Sequence, residues 1–260
     1  MKPMTTAIAH PTADRVIVRG FDLSTELIGH VTTAEYFYVL LTGKKPTPLQ
    51  VAMLDACIVS IAEHGLVPSV QAARMTYASG PEALHGAVAA GLLGSGSVIL
   101  GSSDNTGRLL AAIVDESRSS GRPIPDVTRE HLVKLRQEGK SVPGVGHPLH
   151  KVEDPRATAL LALAEKSGAR GDHSIALDAI VDSMEEIFGR SFPLNVSGVI
   201  PAVLLDVDFP ARAMKGVPLI GRTMSLMAHI LEEDESPIGF GLAIAADHAV
   251  TYEGKTPEDA

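Results

Sequence analysis

Helix punctuation recurs along almost the whole chain and restricts the fold more than any other feature of the sequence. Thr47-Pro48 supplies a capping hydroxyl and a first-turn proline, Leu54, Ile58 and Ile61 then fall on one face, and Gly65 stands as a stop. This predicts a helix over about 48–63. Asp154-Pro155 repeats the same grammar ahead of Leu160, Leu161 and Leu163, with Ser167-Gly168 closing the segment. Asp172 opens another that ends near Gly189. Further helices are expected at 33–41, 69–78, 81–93, 105–117, 127–138, 196–206 and 210–231. Alternation of β-branched residues is confined to one short candidate strand at 15–19. The fold class read from this pattern is all-α.

Composition bounds what such a helical chain can do. At 260 residues, with 45% hydrophobic and 20% charged side chains, the chain can bury a core of its own and is not disordered. Lysine and arginine number 22 against 31 acidic residues, so no broad basic surface is expected for nucleic acid or anionic membrane. Cys57 is the single cysteine and cannot form an internal disulfide. No charged and then apolar leader opens the sequence, which gives a cytoplasmic expectation. The uncharged stretch 86–103 is cut by glycines and serines and reads as a buried helix and a turn. Segments 83–93 and 196–205 are apolar or small nearly all round, so burial on every side is expected, most simply between subunits of a homodimer or larger homo-oligomer. Within one domain over 1–260, the polar connector 118–125 marks a smaller helical lobe around 122–210.

Three of the ten histidines sit in glycine-flanked or loop settings: His64 in Glu-His-Gly, His85 in Ala-Leu-His-Gly-Ala, and His147 in Pro-Gly-Val-Gly-His-Pro. A single histidine is more often a satisfied structural residue than a catalytic one. Gly144, Val145 and Gly146 change the odds for His147, because two glycines let backbone N–H groups approach a ligand closely. Lys151, Asp154 and Arg156 then place two cations and a helix cap just downstream, a set suited to carboxylate or phosphate oxygens. A solvated turn would carry similar residues. The pair His147 and His150 lacks a carboxylate or cysteine to complete a ligand set, so no metal is expected.

In order along the chain, Ala83-Leu84-His85-Gly86-Ala87, Gly144–His147 with Lys151 and Asp154-Pro155-Arg156, and Gly221-Arg222-Thr223 followed by His229 resemble motifs of the citrate synthase superfamily. The resemblance starts at Val18-Arg19-Gly20-Phe21-Asp22-Leu23 and runs to about Leu231. Asn195-Val196-Ser197-Gly198-Val199-Ile200 is similar in particular to the citryl-CoA lyase module of ATP-citrate lyase. The resemblance implies a two-lobed helical fold in an intertwined dimer, acting on coenzyme A thioesters and small di- or tricarboxylates. It implies that His85 holds the enol oxygen of a thioester, that His147 handles the keto or hydroxyl oxygen, and that His64, Arg156 and Arg222 bind substrate. Gly144, Val145, Gly146 and Lys151 would receive the coenzyme.

Two departures stand out. Ser197 occupies the place of the family's catalytic aspartate, and a hydroxyl is a poor acid or base near neutral pH. Ser236-Pro237-Ile238 stands where synthases carry an Arg-Pro-Arg segment. Asp206 and Asp208 lie about three helical turns beyond Ser197, too far along to be expected in the site. The leading expectation is a lyase that cleaves citryl-CoA or a related 3-hydroxyacyl-CoA. A synthase-like condensing enzyme and a catalytically impaired acyl-CoA-binding protein remain as alternatives. A thioester hydrolase using Ser197 as nucleophile ranks below them, because no Gly-x-Ser-x-Gly elbow is present.

Overall fold

The computed structural model describes residues 3–96, 101–146 and 152–255. A small antiparallel sheet opens the chain: β1 (Ala9–Pro11), β2 (Val16–Val18) and β3 (Phe21–Asp22), with Ile17 paired to His10 on one side and Asp22 on the other. Arg19 and Gly20 turn β2 into β3 with φ of 53° and 92°, the left-handed backbone that a two-residue hairpin needs. The expected strand is therefore the middle of three. Asp22 then caps a π-helical turn at Leu23–Leu27 by accepting from the Ser24 and Thr25 N–H groups.

Eleven α-helices follow among the described residues: α1 (Thr33–Thr42), α2 (Pro48–Ala62), α3 (Pro68–Ser79), α4 (Leu84–Leu93), α5 (Ser102–Ser120), α6 (Ile124–Gln137), α7 (Pro155–Lys166), α8 (Asp172–Phe188), α9 (Val196–Asp206), α10 (Gly216–Glu235) and α11 (Gly239–Ala249). The punctuation read from sequence sets many of their ends. Thr47 and Gln50 form a reciprocal cap on α2, the Gln50 N–H donating to the Thr47 hydroxyl at 3.3 Å and the Thr47 N–H to Gln50 Oε1 at 2.9 Å. Asp154 caps α7, and Gly189 ends α8 with φ of 75°.

The chain forms two compact units, Met1–Ile61 with Gly101–Pro218, and Ala62–Leu100 with Leu219–Ala260. In the first, α9 is the centre. Val196 and every residue from Gly198 to Leu205 are buried, and α5, α7 and α8 pack around it. Fully burying each valine, leucine or isoleucine among them contributes roughly 1.5–3 kcal/mol before chain entropy is counted. Residues 122–210, expected as a smaller lobe, lie wholly within this unit.

In the second unit α3 packs on α4 and α11 packs on α3. Arg74 of α3 is buried and donates to Glu233 at 2.6 Å, to Glu232 at 2.6 Å and to the Ser236 carbonyl at 2.8 Å. The second oxygen of Glu233 accepts the Ile238 and Gly239 N–H groups, which caps α11. A side chain at Gly239 would bring its Cβ within 2.6 Å of the Ala78 Cβ, so a glycine is needed for this close packing.

Three expectations change. The segment expected as one helix at 210–231 is a 3₁₀ turn at Ala211–Ala213 followed by α10, which runs to Glu235. Beyond residue 231 no further helix is expected, yet the tail after Pro237 contains α11. Helix α4 is not enclosed within this chain, since Leu84 and Leu93 are exposed, whereas α9 is enclosed as expected. No described helix is long and apolar enough to cross a membrane.

Candidate active site

Within the first unit, the glycine loop is fastened to the entrance of α9. The Gly146 N–H donates to the Pro193 carbonyl at 2.7 Å and the Asn195 N–H to the Gly144 carbonyl at 3.1 Å, with Val145 bridging Leu194. Asn195 works in two directions. Its Oδ1 caps α9 through the Gly198 N–H, while its Nδ2 donates to the Gly146 carbonyl at 2.7 Å. Gly144 has φ of 87°, and a Cβ there would lie 2.8 Å from the Gly198 Cα and 2.9 Å from the Thr106 hydroxyl oxygen. A Cβ at Gly198 would lie 2.5 Å from the Gly144 carbonyl oxygen. The two backbones thus touch, and Ser197 sits beside that contact in the first turn of α9, partly exposed. Pro201 withdraws the N–H that would otherwise bond the Ser197 carbonyl inside the helix.

Asp154 joins this assembly from α7. It is wholly buried, and its carboxylate accepts the Arg156 N–H at 3.1 Å, the Arg156 Nε at 3.0 Å, the Arg156 Nη2 at 2.9 Å and the Val196 N–H at 3.0 Å. Burial alone would raise its pKa, but the hydrogen bonds from Arg156 and Val196 outweigh that and hold it at about 2. One edge of the Arg156 guanidinium is therefore fixed by a two-pronged pair, and the side chain remains about one-fifth exposed, at 21%. His147 and Lys151, both expected in the site, lie outside the described residues, as does His150.

Asp206 has another occupation. Its carboxylate accepts the Gly171, His173 and Ser174 N–H groups at 2.7, 2.8 and 3.0 Å and lies 2.9 Å from His173 Nδ1. Burial pushes its pKa up, yet these bonds bring it below the ordinary aspartate value. It caps α8, and Asp208, with φ of 60°, belongs to the turn after α9.

The second unit collects His64, His85 and Arg222. His85 lies in the first turn of α4 and is exposed. Arg222 is buried, its Nη1 is 3.5 Å from the Ser225 hydroxyl, and its Nε has no partner among the described residues. Burial lowers its pKa, opposed by the charge of Glu63, and the group stays a cation at any physiological pH. Glu63 is the residue that the sequence reading passed over. Its Oε1 accepts the His64 N–H at 2.9 Å and the Gly65 N–H, and its Oε2 accepts the Ser225 hydroxyl and lies 3.1 Å from His229 Nε2. The available signal was the spacing of Arg222, Ser225 and His229, which puts all three on one face of α10. Among the described residues no group of three or more histidine, cysteine or acidic side chains is arranged to hold a metal ion.

Comparison with known proteins agrees with this architecture. Putative citrate synthase 2 of Mycobacterium tuberculosis (strain ATCC 25618 / H37Rv) is 32% identical over 197 residues, covering 73% of this chain and 49% of the relative. Citrate synthase of Synechocystis sp. is 28% identical over 207 residues, covering 77% of this chain and 49% of its own. The chain thus spans about half the length of the curated relatives it matches. Among solved structures, citryl-CoA lyase from Hydrogenobacter thermophilus superposes with a TM-score of 0.84 at 31% identity, over 98% of this chain and 96% of that one. ATP citrate lyase from Methanothrix soehngenii, solved with citrate and coenzyme A, shares the fold with a TM-score of 0.77 at 19% identity, covering all of this chain and 43% of its own. Residues 16–239 match the family model described as citrate synthase, C-terminal domain, and the chain belongs to the citrate synthase family.

Proposed function

We propose that the chain is a coenzyme A thioester lyase of the citryl-CoA type, cleaving citryl-CoA or a related 3-hydroxyacyl-CoA to acetyl-CoA and a 2-oxo acid. The observation that carries this reading is the extent of the match. The solved citryl-CoA lyase superposes over 96% of its length, whereas the match covers only 49% of the synthase from Mycobacterium tuberculosis. In the proposed reaction His147 accepts the hydroxyl proton of the substrate and the carbon–carbon bond breaks. The electron pair passes to the thioester as an enolate held by His85, and a proton returns to carbon to give the methyl group. His64, Arg156 and Arg222 bind the carboxylates, and the loop of Gly144, Val145 and Gly146 with Lys151 receives the coenzyme. A guanidinium fixed along one edge by Asp154, as Arg156 is, holds a preset orientation. The protein is proposed to work in the cytoplasm as a homodimer, and the exposed apolar side chains of Leu231, Phe240 and Ile244 support an assembly.

A second reading, condensation of acetyl-CoA with a 2-oxo acid, is favoured by the names of the curated relatives. Ser197 bears on both readings, because it stands where the family carries the carboxylate that moves the carbon-bound proton. Purified protein is offered citryl-CoA, and separately acetyl-CoA plus oxaloacetate, while thioester and free coenzyme A are followed. Slow cleavage of citryl-CoA to acetyl-CoA is expected, with Ser197→Asp raising kcat by about 10²- to 10⁴-fold. Coenzyme A binding without turnover in either direction, unchanged in Ser197→Asp, would leave an acyl-CoA-binding protein instead.

A further inference from the structure

The Glu63 carboxylate receives four donors from two directions: two backbone N–H groups of the loop that carries His64, and the side chains of Ser225 and His229 from α10, the helix that carries Arg222. We propose that Glu63 is a positioning residue that locks the His64 loop to α10, so that the proposed substrate-binding pair His64 and Arg222 is held as one rigid element.

Its hydrogen bonds suit it to holding structure in place. Burial would raise its pKa, but the bonds from Ser225, His229 and Gly65 outweigh that and keep it below the ordinary glutamate value, so both oxygens are occupied acceptors at neutral pH. Gly65 has φ of 70° and open space around its absent Cβ, so the glycine answers a backbone requirement. That conformation turns two successive N–H groups toward one oxygen. Across the clamp, Ser225 stands between Glu63 and Arg222, its hydroxyl donating to the carboxylate and lying 3.5 Å from the guanidinium. Glu63 thereby supplies a counter-charge to a buried cation without neutralising it by direct contact. Among the described residues, the charged and titratable groups around His229 are Glu63 at Nε2, 3.1 Å away, and Glu232 at Nδ1, 3.8 Å away. This ring is a second strut of the clamp.

The assignment of a positioning role rests on the lyase reading, while the clamp itself does not, and two variants separate them. Glu63→Ala removes all four acceptor contacts. Glu63→Gln keeps a carbonyl oxygen for the two backbone N–H groups and turns an amide toward Ser225 and His229, both of which can accept. Backbone amide exchange of His64 and Gly65 is measured in wild type and both variants, with thermal melting to verify that each is folded. Citryl-CoA kinetics are measured alongside. The clamp predicts at least about tenfold faster exchange at these amides in Glu63→Ala and near wild-type exchange in Glu63→Gln. It also predicts a KM raised by about 10- to 100-fold in Glu63→Ala with kcat nearly unchanged, and a KM within about threefold of wild type in Glu63→Gln. Unchanged exchange in Glu63→Ala overturns the clamp. A wild type without turnover, whose two amides nevertheless respond as stated, supports the clamp and counts against the lyase reading alone. Should kcat fall in both variants with KM fixed, Glu63 takes part in the chemistry and the positioning role is wrong.

Discussion

Replacing Asp154 by asparagine removes the charge that joins α7, Arg156 and the start of α9 while keeping the size of the side chain. In the folded chain this carboxyl titrates at about 2, against an ordinary value of 3.8. The difference corresponds to about 2 kcal/mol of stability at neutral pH. Because the folded value lies below the unfolded one, that contribution is complete above pH ~5, declines as the solution is acidified, and vanishes below pH ~2. Asparagine has no such titration. It also sets an NH2 group against either the Val196 N–H or Arg156, both of which now donate to the carboxylate, so the full cost at pH 7 is about 3 to 5 kcal/mol. Urea unfolding of both proteins at pH 7, 5, 4 and 3, followed by circular dichroism, reads the gap directly. It narrows by about 1 kcal/mol between pH 5 and pH 3 if Asp154 is the titrating group. A gap that stays constant across this range, or one below about 1 kcal/mol at pH 7, refutes the argument that the buried carboxylate is charged and paired.

Gly144→Ala meets both a left-handed backbone and the Gly198 Cα at 2.8 Å, so a loss of about 2–4 kcal/mol is expected, against about 1 kcal/mol for Gly168→Ala, where φ is 66° but nothing lies within 4 Å. Equal melting-temperature losses in the two variants would contradict the close contact. Cys57 is wholly buried, and burial pushes its thiol far above the ordinary range, so iodoacetamide is expected to label it only as the chain unfolds. Labelling in urea that runs well ahead of the circular dichroism transition would show that this part of α2 opens on its own.

How much could be read in advance depends on how local the determining contacts are. Helix α9 was legible to the residue because Asn195 caps it three positions away and its apolar run is continuous. Helix α2 owes its start to Thr47, Pro48 and Gln50, all adjacent in sequence. Helix α11 was missed for the opposite reason. Its segment has two glycines near its start, and its cap is the carboxylate of Glu233, which is itself set by Arg74, 159 positions earlier. The break at residues 214–215 was hidden by a continuous helical pattern on both sides. The motifs around His64, Arg156, Ser197 and Arg222 could be picked out one by one. Glu63 could not, since its meaning arises only when Ser225, 162 positions away, folds against it. Asp206 shows the same dependence, being an unremarkable helix-end acid in the sequence and the cap of α8 in the fold.

Neither compact unit is a continuous piece of chain: the second is assembled from 62–100 and 219–260, and the first from the stretches on either side of 62–100. Any fragment long enough to hold the whole first unit must carry α3 and α4 as passengers, deprived of α11 and of the acids that neutralise Arg74. Truncation at residue 218 would therefore strand a buried cation and strip one side of a helix instead of trimming an end. The region around α9 is better isolated by bridging residues 61 and 101 with a linker than by cutting from the C-terminus.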